Sequence, residues 1–122
     1  MSQVKKVILK EQTRFSPERY QKVDLSGSAY MSSRSFGFFD LYCFDPGPEQ
    51  QGHTHAGSDK IYYVIEASAR IEVADESETI EAGAAVLAPA GSRHAIKNAS
   101  SSRLVVLVAM APRPSDKPQP SE

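Results

Sequence analysis

Cysteine, long apolar runs and an excess of either charge are all scarce in this chain of 122 residues. The single cysteine, Cys43, excludes an intramolecular disulfide and fits a reducing compartment. The longest apolar run, Leu104–Ala111, is far shorter than the roughly 18 residues that a membrane-spanning helix needs. The net charge is −1 and no basic block stands out, so neither nucleic acid nor a membrane surface is expected as a partner.

The composition and length predict a small cytoplasmic protein with one domain. Residues 1–12 lack the apolar segment of a secretory signal peptide, and the chain is 40% hydrophobic and 24% charged, as is usual for globular proteins. Residues 112–122 hold four of the eight prolines among polar residues and are expected to be a disordered tail. The domain is therefore expected to span residues 1–111.

Histidine is also scarce, and all three histidines fall in two short segments. His53 and His55 are separated by one residue, and His94 follows much later. Side chains two apart on a β-strand point to the same face, so this pair and a histidine from another strand can converge on one ion. Neutral imidazole binds zinc, iron, copper and nickel. The spacing therefore indicates a metal site made of these three side chains.

The residues around the histidines form two longer patterns. The first pattern has Gly47, five residues, then His53 and His55. The second has Gly83, five residues, then Pro89, Gly91, His94 and Asn98, the only asparagine in the chain. Together they resemble the two motifs of the cupin superfamily, G-x5-H-x-H-x3,4-E-x6-G and G-x5-P-x-G-x2-H-x3-N. The second motif matches at every fixed position, and the motifs span residues 47–98.

The cupin resemblance implies an all-β fold, the double-stranded β-helix or jelly-roll barrel. It also implies a homodimer, in which residues 4–9 form an N-terminal strand that crosses between the subunits. The strand with His53 and His55 would lie beside the strand carrying His94, with the imidazoles pointing inward. One divalent transition metal, whether iron, manganese, nickel, copper or zinc, would be bound inside the barrel.

The chain departs from the first motif at its acidic ligand. Lys60 occupies that position, and the shorter spacing that the motif permits brings Asp59 into register instead. A protonated lysine cannot bind a metal, and a dication about 6 Å away would repel it by roughly 5 kcal/mol at an effective dielectric of about 20. Three interpretations follow: Asp59 is a fourth ligand, water completes a three-histidine shell, or the site has lost tight metal binding.

A second departure lies at the end of the first motif, where Ala67 replaces a glycine. Alanine with a positive φ would cost about 1 kcal/mol. We therefore expect residues 66–70 to form a hairpin with a different type of turn.

The remaining sequence reads as short strands separated by turn residues rich in glycine, proline, serine and aspartate. Only residues 16–19 could form a turn of helix. Many short strands at regular spacing favour a sandwich or barrel. The strand candidates are residues 4–9, 20–25, 34–44, 52–55, 60–66, 70–73, 78–81, 84–88, 94–98 and 103–109.

Strand parity predicts which side chains line the barrel. Tyr62 and Val64 share the parity of Lys60, and the aromatic residues Phe36, Phe38 and Tyr42 share one parity in the preceding long strand. A small, partly aromatic pocket above the metal would follow. Lys60 and Tyr62 are the candidate catalytic groups, with Lys60 able to hold a substrate carboxylate or enolate.

Two functions are compatible with these residues. The first is an enzyme with a mononuclear three-histidine site that acts on a small anionic or oxygen-rich molecule. A dioxygenase is favoured, because open metal positions admit substrate and O2 together, and decarboxylation, isomerisation and lyase reactions of other cupins use the same ligands. The alternative is a non-catalytic cupin that binds or senses a small ligand. A fold that supports many activities does not decide between them.

Overall fold

The computed structural model describes residues 6–25, 37–54 and 57–112, without the side chains of Gln50, Gln51 and His53. Within these residues the chain forms one turn of 3₁₀-helix, Leu9–Glu11, and nine β-strands. The strands are β1 (Gln21–Asp24), β2 (Phe38–Phe44), β3 (Glu49–Thr54), β4 (Asp59–Glu66), β5 (Ser68–Val73), β6 (Glu76–Glu81), β7 (Ala85–Ala88), β8 (Arg93–Asn98) and β9 (Leu104–Ala111). In this described part, no helix has the length and apolarity required to cross a membrane.

The strands pair into two antiparallel sheets. The larger sheet has the order β1-β2-β9-β4-β7, and the smaller has the order β3-β8-β5-β6. Neighbours in each sheet are mostly distant in sequence, so the chain passes repeatedly from one sheet to the other. This arrangement is the double-stranded β-helix, and it confirms the predicted fold class.

The core lies between the two sheets and follows from strand alternation. In β4, Lys60, Tyr62 and Val64 are buried, whereas Ile61 and Tyr63 on the other face are exposed. The predicted inward parity of β4 is therefore confirmed. The buried apolar side chains of this core are Tyr42, Phe44, Tyr62, Val64, Ala69, Ile71, Ile80, Ala88, Ile96, Leu104, Val106 and Val108.

A second apolar cluster covers part of the outer face of the larger sheet. Its buried members are Leu25, Leu41, Cys43 and Val105, which belong to the opposite parity of β2 and β9 or to the end of β1. Val7, Leu9 and Phe15 of the N-terminal segment pack against them. Cys43 is therefore a small buried hydrophobic residue, as its sequence context indicates.

Two expectations for the N-terminal region were wrong. Within the strand expected at residues 4–9, residues 6–8 are irregular and Leu9 begins the 3₁₀ turn. Val7 and Leu9 pack on the sheet face, whereas Ile8 is exposed. Residues 16–19 form bends and no helix. Residues 4 and 5, Phe36 and all but Pro112 of the expected disordered tail lie outside the described residues.

The turn between β4 and β5 also differs from the expectation. Ala67 has a φ of 66°, the left-handed conformation that the family's glycine suits, so the expected change of turn type does not occur. The expected hairpin is also wrong, because β4 and β5 lie in different sheets. Ala74, between β5 and β6, has a φ of 55°. Gly83 and Gly91 of the second motif have φ values of 97° and 87°, a backbone conformation that glycine adopts without steric cost.

Candidate metal centre

The adjacent strands β3 and β8 bring two of the three histidines together. His53 and His94 are direct partners in the antiparallel register, immediately after a bulge between Gln50 and His53. Partners in such a pair have Cα atoms only about 4.5–5.5 Å apart. The expected pairing of these two strands is therefore present. His55, like the side chain of His53, lies outside the described part of the structure.

The His94 ring is buried and held in one orientation. Its exposed fraction is 2%, and Nδ1 lies 3.1 Å from the backbone oxygen of Ser92. A carbonyl oxygen can only accept a hydrogen bond, so Nδ1 carries the proton and Nε2 of the neutral ring carries the lone pair. This is the usual arrangement of a metal-binding histidine. The edge of the ring meets Tyr62, with ring centroids 6.2 Å apart.

Asp59 lies at the outward-facing start of β4. Its side chain is exposed, and Oδ1 accepts a hydrogen bond of 2.8 Å from the backbone N–H of Ala90. Ala90 belongs to the Pro89–Gly91 turn of the second motif. The carboxylate therefore ties the start of β4 to the turn that precedes β8. Among the described side chains, no group of three or more His, Cys, Asp or Glu is placed to bind a metal.

Lys60 points into the barrel. Its exposed fraction is 1%, and Nζ lies 5.1 Å from the ring centroids of both Tyr42 and Tyr62. Burial, reinforced by repulsion from Lys22 and opposed by attraction to Asp40, lowers the pKa of Lys60 to about 7. The amine therefore loses much of its positive charge near neutral pH, which reduces the repulsion expected between Lys60 and a bound dication.

Tyr62 is fully buried beside Lys60. Burial and the neighbouring Tyr42 and Tyr20 raise the pKa of the Tyr62 phenol. The phenol consequently stays protonated and can donate a hydrogen bond, but the same environment opposes a role as a general base.

Asp40 is a buried carboxyl group that the sequence analysis missed. It lies on β2 with an exposed fraction of 5%, and its pKa rises to about 6, mainly because of burial, with Lys22 opposing the shift. The signal was present in the sequence, since Asp40 stands between Phe38 and Tyr42 on the inward parity of that strand. Its interaction with Lys60 makes it part of the interior site.

The outer face of the smaller sheet carries a separate polar hollow of about 290 Å³, next to the histidine strands. There the Arg93 guanidinium packs on the backbone of Gly52, where a side chain would collide with it. Arg93 also forms a 3.0 Å ion pair with Glu72. Because Gly52 precedes His53 and Arg93 precedes His94, this contact holds the two strands together on the face away from the core.

Asn98 closes the second motif as a structural residue. Its amide nitrogen donates hydrogen bonds to the backbone oxygens of Ser102, at 2.6 Å, and Phe44, at 3.3 Å. Its amide oxygen accepts from the backbone N–H and the hydroxyl of Ser100. Asn98 thereby fixes the turn between β8 and β9 and joins it to the end of β2.

Comparison with known families decides the classification. The family model described as "Cupin domain" matches residues 40–110, which include both histidine motifs. The chain belongs to the cupin family. Comparison with curated protein sequences gave no significant match.

Solved structures agree with this classification. The cupin resembles TT1209 from Thermus thermophilus, with 36% identity, a TM-score of 0.81, and coverage of 90% of this chain and 99% of that one. It resembles a double-stranded β-helix domain protein from Klebsiella pneumoniae with 18% identity, a TM-score of 0.76, and coverage of 92% and 91%. A predicted oxalate decarboxylase from Thermotoga maritima has 22% identity, a TM-score of 0.67, and coverage of 75% and 78%. At identities this low, the last two show the fold alone.

Proposed function

We propose that this cupin binds one divalent transition metal through His53, His55 and His94 and acts on a small anionic molecule, in a dioxygenase-type reaction. The observation that carries the proposal is the direct pairing of His53 with His94, together with the buried His94 ring whose Nδ1 faces the Ser92 oxygen. That hydrogen bond directs Nε2 to serve as the ligand atom.

The proposed shell contains the three histidines and omits Asp59. The Asp59 carboxylate is exposed and already accepts the Ala90 N–H. Three imidazoles leave coordination positions open, and a bound metal would supply Lewis-acid and, for iron, manganese or copper, redox chemistry at those positions. The lowered pKa of Lys60 weakens the repulsion between its amine and a dication, so the donor set and its surroundings fit a metal.

The interior surroundings favour a small anion as the molecule acted on. Lys60 brings a titratable amine into the barrel, and Tyr62 brings a protonated phenol beside it. An ammonium group and a phenol both donate hydrogen bonds to carboxylate or enolate oxygens. In this proposal Lys60 binds and orients the anion, and Tyr62 donates a hydrogen bond to it.

The metal content of the purified, untagged protein tests the proposal. We expect about one transition-metal ion per chain by inductively coupled plasma mass spectrometry, and loss of the ion in His55→Ala and His94→Ala. The exposed substitution Lys97→Met serves as the matched control. Oxygen consumption with small carboxylic acids then tests the reaction. If the reloaded protein fails to retain a metal, the metal proposal is wrong.

A metal-free cupin that binds or senses a small ligand is the second candidate. It is favoured by one observation, the buried Lys60 at the position of the acidic ligand in the family motif. The same measurement separates the two candidates, because this second function requires a folded protein that binds no metal in any metal-loading trial. Ligand-induced stabilisation would then replace turnover as the assay.

The homodimer implied by the family resemblance stays a prediction. On the outer face of the larger sheet, Ile61, Tyr63 and Leu87 have exposed fractions of 45%, 42% and 52%. Ile61 and Leu87 are cross-strand partners. Light scattering coupled to size-exclusion chromatography measures the expected mass of two chains.

A further inference from the structure

Lys60 is the buried lysine of the described chain. The other lysines that the structure describes, Lys6, Lys10, Lys22 and Lys97, are all exposed, whereas Lys60 is 1% exposed and its Nζ faces two tyrosine rings inside the barrel. We propose that the Lys60 amine forms a reversible iminium with the carbonyl group of a small aldehyde acid or 2-oxo acid. The inference rests on the proposed function in one respect, a small molecule inside the barrel, and it requires no metal.

The first support is a second amine that contacts the same aromatic ring as Lys60. Nζ of Lys22 lies 5.6 Å from the centroid of the Tyr42 ring, and Nζ of Lys60 lies 5.1 Å from the same centroid. A lysine amine becomes nucleophilic when it is desolvated or lies next to another cation. Both conditions hold for Lys60, because burial and Lys22 both lower its pKa.

The two amines also indicate the substrate class. A carbonyl group is the electrophile that a neutral amine attacks, and the exposed Lys22 ammonium can pair with a carboxylate. A molecule with both groups would place negative charge between two amines that otherwise repel each other. Aldehyde acids and 2-oxo acids combine these groups within a few atoms, which suits a small barrel interior.

The reaction is balanced without an oxidant or reductant. The lone pair of Lys60 Nζ attacks the carbonyl carbon, and proton transfer from nitrogen to oxygen gives a carbinolamine. A further proton on the hydroxyl lets it depart as water while the C=N⁺ bond forms. Asp40 interacts with Lys60, and its pKa of about 6 allows this carboxyl group to supply that proton and take one back near neutral pH. Hydrolysis returns the free amine and the carbonyl compound.

Reductive trapping with glyoxylate tests the proposal. Protein treated with EDTA is incubated near neutral pH with glyoxylate and cyanoborohydride, which reduces an iminium at Lys60 to carboxymethyl-lysine. Peptide mass spectrometry then locates the product. We expect Lys60 to be modified before the exposed lysines. The adduct at this position should be lost in Lys60→Arg and Lys60→Met and retained in Lys97→Met, and it should form more slowly in Lys22→Met.

The outcomes separate this proposal from the metal site. Circular dichroism establishes that each variant is folded, and Lys60→Arg keeps a positive charge without a condensing amine. Modification of the exposed lysines with Lys60 unmodified in the folded protein, but modified after unfolding in urea, would overturn the proposal. Metal content is measured on a separate, untreated sample, so loss of the metal proposal leaves this result unaffected.

Discussion

The carboxylate of Asp59 accepts a hydrogen bond of 2.8 Å from the backbone N–H of Ala90. This contact joins the first strand residue after the histidine pair to the turn of the second motif. In Asp59→Ala we expect unchanged metal content and a loss of about 1 kcal/mol of stability, the usual contribution of a hydrogen bond. Mass spectrometry and urea unfolding measure the two effects, with Asp75→Ala in the exposed β5–β6 turn as control. Loss of the metal would instead place Asp59 in its shell.

Because of Lys60, we expect the free energy of unfolding to change with pH in the alkaline range. Its pKa is about 7 in the folded protein against 10.5 ordinarily, so between these values the unfolded chain holds a proton that the folded chain lacks. Stability therefore rises with pH across that window. Since one pKa unit corresponds to about 1.4 kcal/mol, we expect urea unfolding to show a rise of more than about 1 kcal/mol. The rise should disappear in Lys60→Met and persist in Lys97→Met. An identical profile for Lys60→Met and the wild type would contradict the burial of a titrating amine.

Asp40 gives the free energy of unfolding the opposite pH dependence, in the acidic range. Its pKa rises from 3.8 to about 6 on folding, so in this window the folded protein holds a proton that the unfolded chain has released. Stability contributed by this group falls as the pH rises from about 4 to about 6 and stays lower above it. The difference in unfolding free energy between wild type and Asp40→Asn should follow that curve. Asp75→Asn provides the exposed control, and a flat difference across the window would refute the assignment.

Ala67 holds a conformation that suits glycine. Its φ of 66° costs an L-residue about 1 kcal/mol, so Ala67→Gly should stabilise the protein or, after the added entropy of the unfolded chain, leave it unchanged. Ala82, in the turn before Gly83, does not have a positive φ. The substitution Ala82→Gly therefore relieves no strain and should destabilise the protein. Thermal unfolding of the two variants compares them directly, and equal losses of stability would argue against a strained Ala67.

The sequence predicted most strands and the inward-facing side chains of β2 and β4, because side chains on a strand alternate between the two faces in the order of the sequence. Lys60, Tyr62 and Val64 were assigned to the interior in this way, and the structure buries all three. Asp40 was missed although the same rule applied, because a carboxylate flanked by aromatic residues was not counted among interior groups. The position of a residue along a strand predicts which face of the sheet its side chain occupies, whether that side chain is polar or apolar.

Other features depended on contacts that residue order does not encode. Residues 6–8 alternate like a strand, yet Val7 and Leu9 pack on the outer face of the larger sheet, and nothing local distinguishes the two uses of an apolar pattern. Motif spacing alone allowed the Asp59 carboxylate either to bind a metal or to hold a turn. The structure shows that it accepts a hydrogen bond from the backbone N–H of Ala90, a contact that residue order does not reveal. Ala67 forms the one-residue link between β4 and β5, and residue order did not reveal that these strands enter different sheets.

Strand β9 lies between β2 and β4 in the larger sheet and is the last in sequence of the strands that the structure describes. The two strands that it joins therefore remain unbridged until residues 104–111 have left the ribosome. Neither Lys60 on β4 nor Asp40 on β2 can be enclosed before that moment, since Val108 pairs with Asp40 on one side and Met110 with Lys60 on the other. The interior of this barrel is therefore completed only after β9 has been synthesised, and a chain that stalls before β9 would expose unpaired strand edges that promote aggregation.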